Sequence, residues 1–360
     1  MEHYNFYKNR AEENEGFEPD EQKTSPFKLS PDEQFPMLNR DDQPAETKGK
    51  GTIIRGKEYD PSEPLQHAVN VALMLHKPLL LTGEPGTGKS DLAYHLAWHF
   101  GWGEVEHFVT RTDAVATDLL YRYDSLAHFQ MVNIQKECLP VDKIEKMFIS
   151  YVALGRAICD SSGDNVEGVA RRRVVLIDEI DKAPRDLPND ILTILEEMRF
   201  DVPQLKTADS KEKPIYKKTG NDELKPVVIL TSNSEKTLPE AFLRRCVFFH
   251  IDMPDKKHLM EILLAKQSIL PGITKPEGDE FIKLFYAIRD LVKGKKPATH
   301  ELILWVWWMR KHRFTPGDIY HYDEHDATAK ILLSGISVLA KEADDWGTVT
   351  KAIVNHTLKG

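Results

Sequence analysis

Short apolar runs alternate with helical patterns along the middle of the chain. Five runs have the length and composition of buried strands, at residues 78–82, 105–109, 174–177, 227–231 and 247–251. Apolar residues at helical spacing fill Pro64–Leu75 before the first run and Asp91–Trp98 after it. This alternation predicts an α/β fold, with a parallel sheet sandwiched by helices and ligands bound at the carboxyl ends of the strands.

The two ends of the chain differ from this pattern. Residues 1–50 are rich in charged residues, proline and asparagine and show no apolar periodicity. Such a composition does not offset the entropy lost on ordering, so we expect a disordered acidic tail, which either stays in solvent or docks its aromatic residues on a partner. After residue 254 the pattern is helical, which predicts an α/β domain at 51–254 and an all-α domain at 255–360.

A complete phosphate-binding loop (P-loop) lies between the first apolar run and the helix after it. The G-x-x-x-x-G-K-[ST] pattern and the residue that follows it are Gly83, Glu84, Pro85, Gly86, Thr87, Gly88, Lys89, Ser90 and Asp91. Glycines let the backbone approach a phosphate, and the N–H groups of a helix N-terminus favour negative charge. We expect Lys89 to reach the β- and γ-phosphates of a nucleotide and Ser90 to bind Mg²⁺.

Polar residues suited to nucleotide hydrolysis follow the later apolar runs. Asp178 directly follows the third run and can hold Mg²⁺ through its waters, and Glu179 can polarise the attacking water. Asn233 follows the fourth run and would orient the same water if the two strands are neighbours. Arg244 or Arg245 would stabilise the transition state as an arginine finger, although cations at a helix C-terminus are also favourable without any such role.

Composition narrows the class of partner and compartment. The 360 residues carry a net charge of −9, which argues against a protein whose main role is to bind nucleic acid. The three cysteines are widely spaced, so neither a zinc site nor a disulfide framework is predicted, and a reducing cytoplasm fits best. The chain has no apolar run of membrane-spanning length and no signal-peptide pattern at its start.

The ordered motifs resemble those of AAA+ ATPases of the MoxR-like group. The resemblance covers about residues 55–312 and is carried by Gly83–Ser90, Leu176–Pro184, Thr231–Asn233 and Phe242–Cys246. It implies a homo-oligomeric ring, usually a hexamer, that binds ATP and Mg²⁺ between subunits. In such a ring Arg244 or Arg245 would act on the nucleotide of the neighbouring subunit.

The same resemblance implies several features of organisation and partners. It predicts an insertion in the second helix at about 111–168, a hairpin at about 200–218 and a helical lid after the α/β core. It also implies chaperone-like remodelling of a protein partner, often a protein with a von Willebrand factor A domain.

The lid departs from the family's pattern at one position. Family members often carry a sensing arginine at the start of a lid helix, and here Thr299 or His300 falls at that place. Either Lys295 or Lys296 substitutes for it or the lid senses nucleotide differently, and Thr299 is expected to cap the helix. The aromatic segment Leu302–Met309 is expected to be buried within the lid rather than to form a groove for a partner.

Three functions fit these residues. The first is a cytoplasmic, Mg²⁺-dependent ATPase that forms a ring and remodels a protein partner. The second is a nucleotide-controlled assembly switch in a signalling or defence system, without threading activity. The third is a nucleic-acid translocase or a GTP-specific motor, which the acidic net charge disfavours. The choice between ATP and GTP stays open, because scattered residues form the base pocket.

Overall fold

The chain forms two compact units in the computed structural model. The structure describes residues 56–135, 139–205, 215–220, 222–233, 237–314 and 327–354, so the expected tail at 1–50 lies outside the described residues. The first unit takes the chain up to residue 57 together with 63–82 and 90–250, and the second takes 58–62, 83–89 and 251–360. The P-loop residues 83–89 therefore group with the C-terminal helices.

The strands and helices follow the alternation predicted from the sequence. The strands are β1 (Leu79–Gly83), β2 (Glu106–Val109), β3 (Tyr121–Tyr123), β4 (Ile149–Tyr151), β5 (Val174–Asp178), β6 (Arg199–Val202), β7 (Ile215–Lys218), β8 (Val227–Ser232) and β9 (Val247–Ile251). The helices are α1 (Glu63–Leu75), α2 (Asp91–Phe100), α3 (Ser125–Gln135), α4 (Val141–Phe148), α5 (Ala153–Ser162), α6 (Leu187–Asp190), α7 (Leu192–Glu197), α8 (Glu240–Leu243), α9 (Lys256–Ala265), α10 (Lys275–Leu291), α11 (Thr299–Lys311), α12 (Ala327–Leu339) and α13 (Ala343–Val354).

A five-stranded sheet in the order β2–β5–β8–β1–β9 forms the centre of the first unit. The pairs β2–β5, β5–β8 and β8–β1 are parallel, so the carboxyl ends of these strands lie at one edge of the sheet. The five strands coincide with the five apolar runs, which confirms the predicted parallel sheet.

Helices cover both faces of this sheet. The four apolar residues of β5 are each 0% exposed. Val175 and Ile177 pack in one core cluster with Leu154 and Ile158 of α5. Helix α2 also packs against β5, and successive side chains of a strand point to opposite faces. A strand buried on both faces must be apolar throughout, which is why β5 gave so clear a signal in the sequence.

Two small antiparallel pairs stand apart from the main sheet. Strands β3 and β4 pair within the region expected to hold the insertion, which also contains α3, α4 and α5. Strands β6 and β7 pair from Arg199 opposite Lys218 to Val202 opposite Ile215. Residues 206–214 between β6 and β7 lie outside the described residues.

The second unit is helical in its described part after β9. Its core joins α9 to α13, and the rings of Phe281 and Trp305 meet edge to face with centroids 5.7 Å apart. Most of the apolar residues of α11 are buried in this core, which confirms that Leu302–Met309 packs within its own unit. Within the described residues, no helix is both long and apolar enough to cross a membrane.

Two helical glycines should respond in opposite ways to alanine. A Cβ at Gly155 in α5 would lie 1.9 Å from the carbonyl oxygen of Leu120, so Gly155→Ala should lower the free energy of unfolding by about 1–3 kcal/mol. A Cβ at Gly347 in α13 would meet no heavy atom within 4 Å, so Gly347→Ala should raise that free energy by about 0.5–1 kcal/mol. Urea unfolding of both variants checks this, and a Gly155→Ala chain as stable as wild type would contradict the packing of α5.

Candidate functional site

The carboxylate of Asp178 accepts hydrogen bonds from residues of three other elements. The hydroxyl of Ser90, the last residue of the P-loop pattern, donates to Asp178 Oδ1 over 2.9 Å. The hydroxyl of Thr231 at the end of β8 donates to the same oxygen, and His107 Nε2 of β2 lies 3.4 Å from Asp178 Oδ2. Strand β5 lies between β2 and β8, so its last residue is within reach of both neighbours. The structure thus brings together Ser90 and Asp178, the two residues predicted to bind metal.

These contacts control the ionisation of Asp178. Burial raises the pKa of its carboxyl group, but hydrogen bonds from His107, Thr231 and Ser90 outweigh burial and hold the pKa below its usual value. Asp178 is therefore a carboxylate at neutral pH. A carboxylate beside a serine hydroxyl is an oxygen donor set of the kind that Mg²⁺ prefers.

Glu179 occupies a backbone conformation that is costly for a residue with a side chain. Its φ of 57° and ψ of 46° are left-handed, and strained residues of this kind cluster at functional sites. Its N–H donates to Thr231 Oγ1 over 3.0 Å, and its carboxylate pairs with Lys182 Nζ at 2.8 Å. One buried hydroxyl, that of Thr231, therefore holds both acidic residues in place.

The P-loop is closed around the side chain of Lys89. The ammonium donates to the carbonyl oxygens of Gly83 and Glu84 over 2.8 and 2.9 Å, and Lys89 is only 7% exposed. The hydroxyl of Thr87 also donates to the Glu84 carbonyl, over 2.9 Å. The three glycines of the loop have φ values of 146°, 82° and 89°, and a Cβ at Gly83 would lie 2.4 Å from the carbonyl oxygen of Ile251. Glycine adopts this backbone conformation without steric cost, and the resulting turn brings several backbone polar groups together, as in an anion-binding site.

Residues 78–246 match the family model of the AAA domain, dynein-related subfamily. The matched segment contains the P-loop, both acidic residues, Asn233 and both candidate arginines. Residues 78–246 are thus similar to an AAA domain, and we refer to them by that name. The domain type implies nucleotide binding and ATPase activity in general. None of the curated proteins compared with the chain matches it.

Asn233 of the AAA domain joins the acidic turn through its backbone. Its N–H donates to Asp181 Oδ2 over 3.2 Å, and Asp181 is 2% exposed. This contact links the ends of β8 and β5, the neighbouring strands from which Asn233 and Glu179 extend. The side chain of Asn233 is half-buried.

Both candidate arginines lie at the surface of the AAA domain. Arg244 pairs with Glu240 one helical turn earlier, and its side chain is 74% exposed. Arg245 Nε donates to Glu196 Oε1 over 2.5 Å, and its side chain is 41% exposed. Their described ion pairs therefore join them to other surface residues of their own unit.

Sequence reasoning missed two residues that contact Asp178, and the sheet register explains why. Leu230 is the partner of Ile177, so Thr231 lies beside Asp178, and His107 lies two residues before the partner of Asp178 on β2. Their contact with Asp178 could be predicted only from the order and register of the strands, which the sequence alone does not give.

The N-terminus of α11 differs from the sequence-based expectation, and the helix before it holds a third residue that the sequence did not reveal. Thr299 is the first residue of the helix rather than its cap, because the Glu301 carboxylate accepts from the Ala298 N–H over 3.1 Å. The prediction that Thr299 caps the helix is wrong. The second unit does hold a buried arginine against the P-loop, but it is Arg289 of α10, which contacts Glu84 Oε2 at 3.1 Å.

One further group of potential metal ligands lies in the second unit. Asp60, His258 and Glu261 bring one ligand atom each to within 4.8 Å of one another. His258 Nε2 already lies 3.1 Å from the carbonyl oxygen of Asp60, and Glu261 is exposed and 3.9 Å from Lys257 Nζ. The hydrogen bond between His258 and Asp60 accounts for this cluster as a structural contact.

Replacing Thr231 by valine should separate hydrolysis from nucleotide binding. Thr231→Val removes the donor to Asp178 and the acceptor for the Glu179 N–H, so hydrolysis should fall at least about tenfold and the free energy of unfolding by about 1–3 kcal/mol. Nucleotide affinity, measured with a fluorescent ATP analogue, should change far less than the phosphate-release rate.

Thr110→Val is the matched control. Thr110 is 2% exposed and its N–H donates to the Asp178 carbonyl oxygen over 3.0 Å, but its hydroxyl has no hydrogen-bond partner within the described part of the chain. Its variant should hydrolyse nucleotide at close to the wild-type rate. If the two variants hydrolyse equally fast, Thr231 does not position the acidic pair.

Proposed function

We propose that this chain is a cytoplasmic, Mg²⁺-dependent ATPase of the MoxR-like AAA+ group that assembles as a ring, most simply a hexamer, and remodels a protein partner. The contact that carries the proposal is the 2.9 Å hydrogen bond between Ser90 and Asp178. It joins the last residue of the P-loop to the acidic end of β5. A hydroxyl and an ionised carboxylate at that junction suit a Mg²⁺ ion that neutralises phosphate charge when it is bound.

Each predicted residue has a defined task in this proposal. The backbone of residues 83–91 and the Lys89 ammonium would bind the phosphates, and Ser90 and Asp178 would hold the metal, Asp178 through water. Glu179 takes a proton from the attacking water as its oxygen bonds to the γ-phosphorus and the bond to the β-phosphate oxygen breaks. Asn233 orients that water, and Thr231 keeps Glu179 in register.

The surface position of the two arginines favours their action on a neighbouring subunit. Arg244 is the more exposed of the two, and Arg245 is held by Glu196. A guanidinium offered to the next subunit's γ-phosphate would stabilise transition-state charge and would make hydrolysis depend on assembly. The family resemblance suggests a partner with a von Willebrand factor A domain.

Glu179→Gln should keep ATP binding and lose nearly all turnover, because the amide cannot accept the proton of the attacking water. Phosphate release and mass photometry, each with no nucleotide, ADP or ATP, measure turnover and assembly. We expect an ATP-dependent shift to a ring of about six subunits for wild type and variant alike.

The control for this variant is Glu197→Gln. Glu197 is a surface acid that pairs with Arg199 at 3.0 Å, and its variant should turn over normally. A Glu179→Gln chain that hydrolyses ATP at the wild-type rate would overturn the role of Glu179, and a persistent monomer that hydrolyses ATP would overturn the ring.

Mixing two inactive variants tests the arginine finger. A Lys89→Ala subunit cannot hold phosphate but still offers its arginines, whereas an Arg244→Ala or Arg245→Ala subunit holds phosphate but lacks one arginine. If the arginine acts between subunits, the mixture should hydrolyse ATP faster than either variant alone. Only the arginine that serves as the finger should show this rescue, so absence of rescue for both removes both candidates.

A nucleotide-controlled assembly switch is the second candidate. It is favoured by the start of α11, where Thr299 and His300 replace the sensing arginine that family motors often carry. A switch would hydrolyse ATP slowly whatever protein is added, and its affinity for a partner would depend on ATP. Equal partner affinity with and without ATP would exclude it.

A further inference from the structure

A buried arginine of the second unit is joined to the P-loop by an ion pair. Arg289 of α10 is 9% exposed, and its Nη2 lies 3.1 Å from Oε2 of Glu84, the second residue of the loop. Its Nη1 donates to the carbonyl oxygen of Pro297, ahead of α11. Burial of a guanidinium costs free energy unless acceptors surround it, and here one acceptor is backbone and the other is a loop carboxylate.

The same loop has a second contact within this unit. The N–H of His300 donates to the carbonyl oxygen of Gly86 over 3.1 Å, and a Cβ at Gly86 would lie 3.0 Å from Glu301 Oε2. The segment from Pro297 to Glu301 therefore lies directly against the loop. Arg289 therefore contacts both Glu84 of the loop and Pro297, which lies two residues before α11.

We propose that Arg289 is a positioning residue for the nucleotide phosphates and that Glu84 competes with those phosphates for its guanidinium. This inference rests on the proposed function, because it concerns ATP bound at the same loop. Carboxylate and phosphate oxygens accept the same paired N–H donors of arginine. The Arg289 charge attracts phosphate to the loop, the Glu84 charge opposes it, and phosphate binding weakens the hold of Glu84 on α10 and the α11 start.

A purely structural ion pair predicts a different outcome. If Glu84 and Arg289 only clamp the loop, removal of either partner should loosen it and weaken nucleotide binding. If they compete as proposed, the two removals act with opposite signs. Neutralising Glu84 should tighten ATP binding, whereas neutralising Arg289 should weaken it.

The test is titration of the full-length chain with fluorescent ATP and ADP analogues in the presence of Mg²⁺. Glu84→Gln keeps the size of a half-exposed side chain and should lower the Kd for ATP about three- to tenfold. The Kd for ADP should fall less, because ADP carries less phosphate charge. This change in the ATP-to-ADP ratio is a readout that a structural clamp would not produce.

Glu277→Gln is the matched control. Glu277 pairs with Arg310 Nε at 2.9 Å, which also joins α10 to α11 in the same unit but involves no loop residue. Its variant should leave both Kd values unchanged. Arg289→Lys keeps the charge but loses the planar guanidinium with its paired N–H donors. It should therefore weaken ATP binding, in the same direction as removal of the charge.

The outcomes separate this inference from the proposed function. A wild-type chain that binds no nucleotide, or binds it equally well after Lys89→Ala, overturns both. Normal wild-type binding with a Glu84→Gln chain that binds ATP no more tightly overturns this inference alone. Thermal melts identify any arginine variant that fails to fold, and the glutamine variant of Glu84 decides the matter in that case.

Discussion

The half-buried carboxylate of Asp178, with the donors that surround it, is the interaction on which the arrangement of the AAA domain depends. An ionised carboxylate only accepts hydrogen bonds, so its position at a strand end is tolerable only if donors converge on it. Ser90, Thr231 and His107 supply these donors from three separate segments of the chain. The order β2–β5–β8 is what brings two of them to the same edge.

This constraint also explains the backbone at Glu179. A left-handed residue of this size persists only where its surroundings hold it, and here its N–H donates to Thr231 and its carboxylate pairs with Lys182. Thr231 is 1% exposed, so its hydroxyl is shielded from competing water. The hydroxyl that holds Asp178 therefore also holds Glu179, and the metal-binding and water-activating roles proposed for them share one support.

The sequence predicted those features whose signal is confined to a few neighbouring residues. The P-loop could be identified because its glycines, Lys89 and Ser90 act within eight positions, and β5 because a strand buried on both faces has no polar interruption. The order of the sheet, and with it the roles of Thr231 and His107, depends on pairings between distant segments. The pair between Glu84 and Arg289 spans 205 positions, and no local pattern marks it.

The N-terminal cap of α11 shows that prediction from sequence can also fail for contacts between near neighbours in the chain. Thr299 has the side chain of a common capping residue, yet the carboxylate of Glu301 takes that task by accepting from the Ala298 N–H. Thr299 itself is the first residue of the helix and is 6% exposed.

The position of Arg289 follows from the packing of the helical unit. Helix α10 is fixed by a core that includes Phe281 and Phe285, both 0% exposed, so its last turns hold a defined place. Arg289 lies one turn beyond Phe285 and two turns beyond Phe281. It is buried, and its guanidinium lies between the Pro297 carbonyl oxygen and the Glu84 carboxylate. A side chain held on a packed helix aims its charge more reliably than one on a loop, because its rotamer freedom is already lost. A lid helix that begins without arginine can therefore still belong to a unit that responds to phosphate, since the preceding helix supplies the cation.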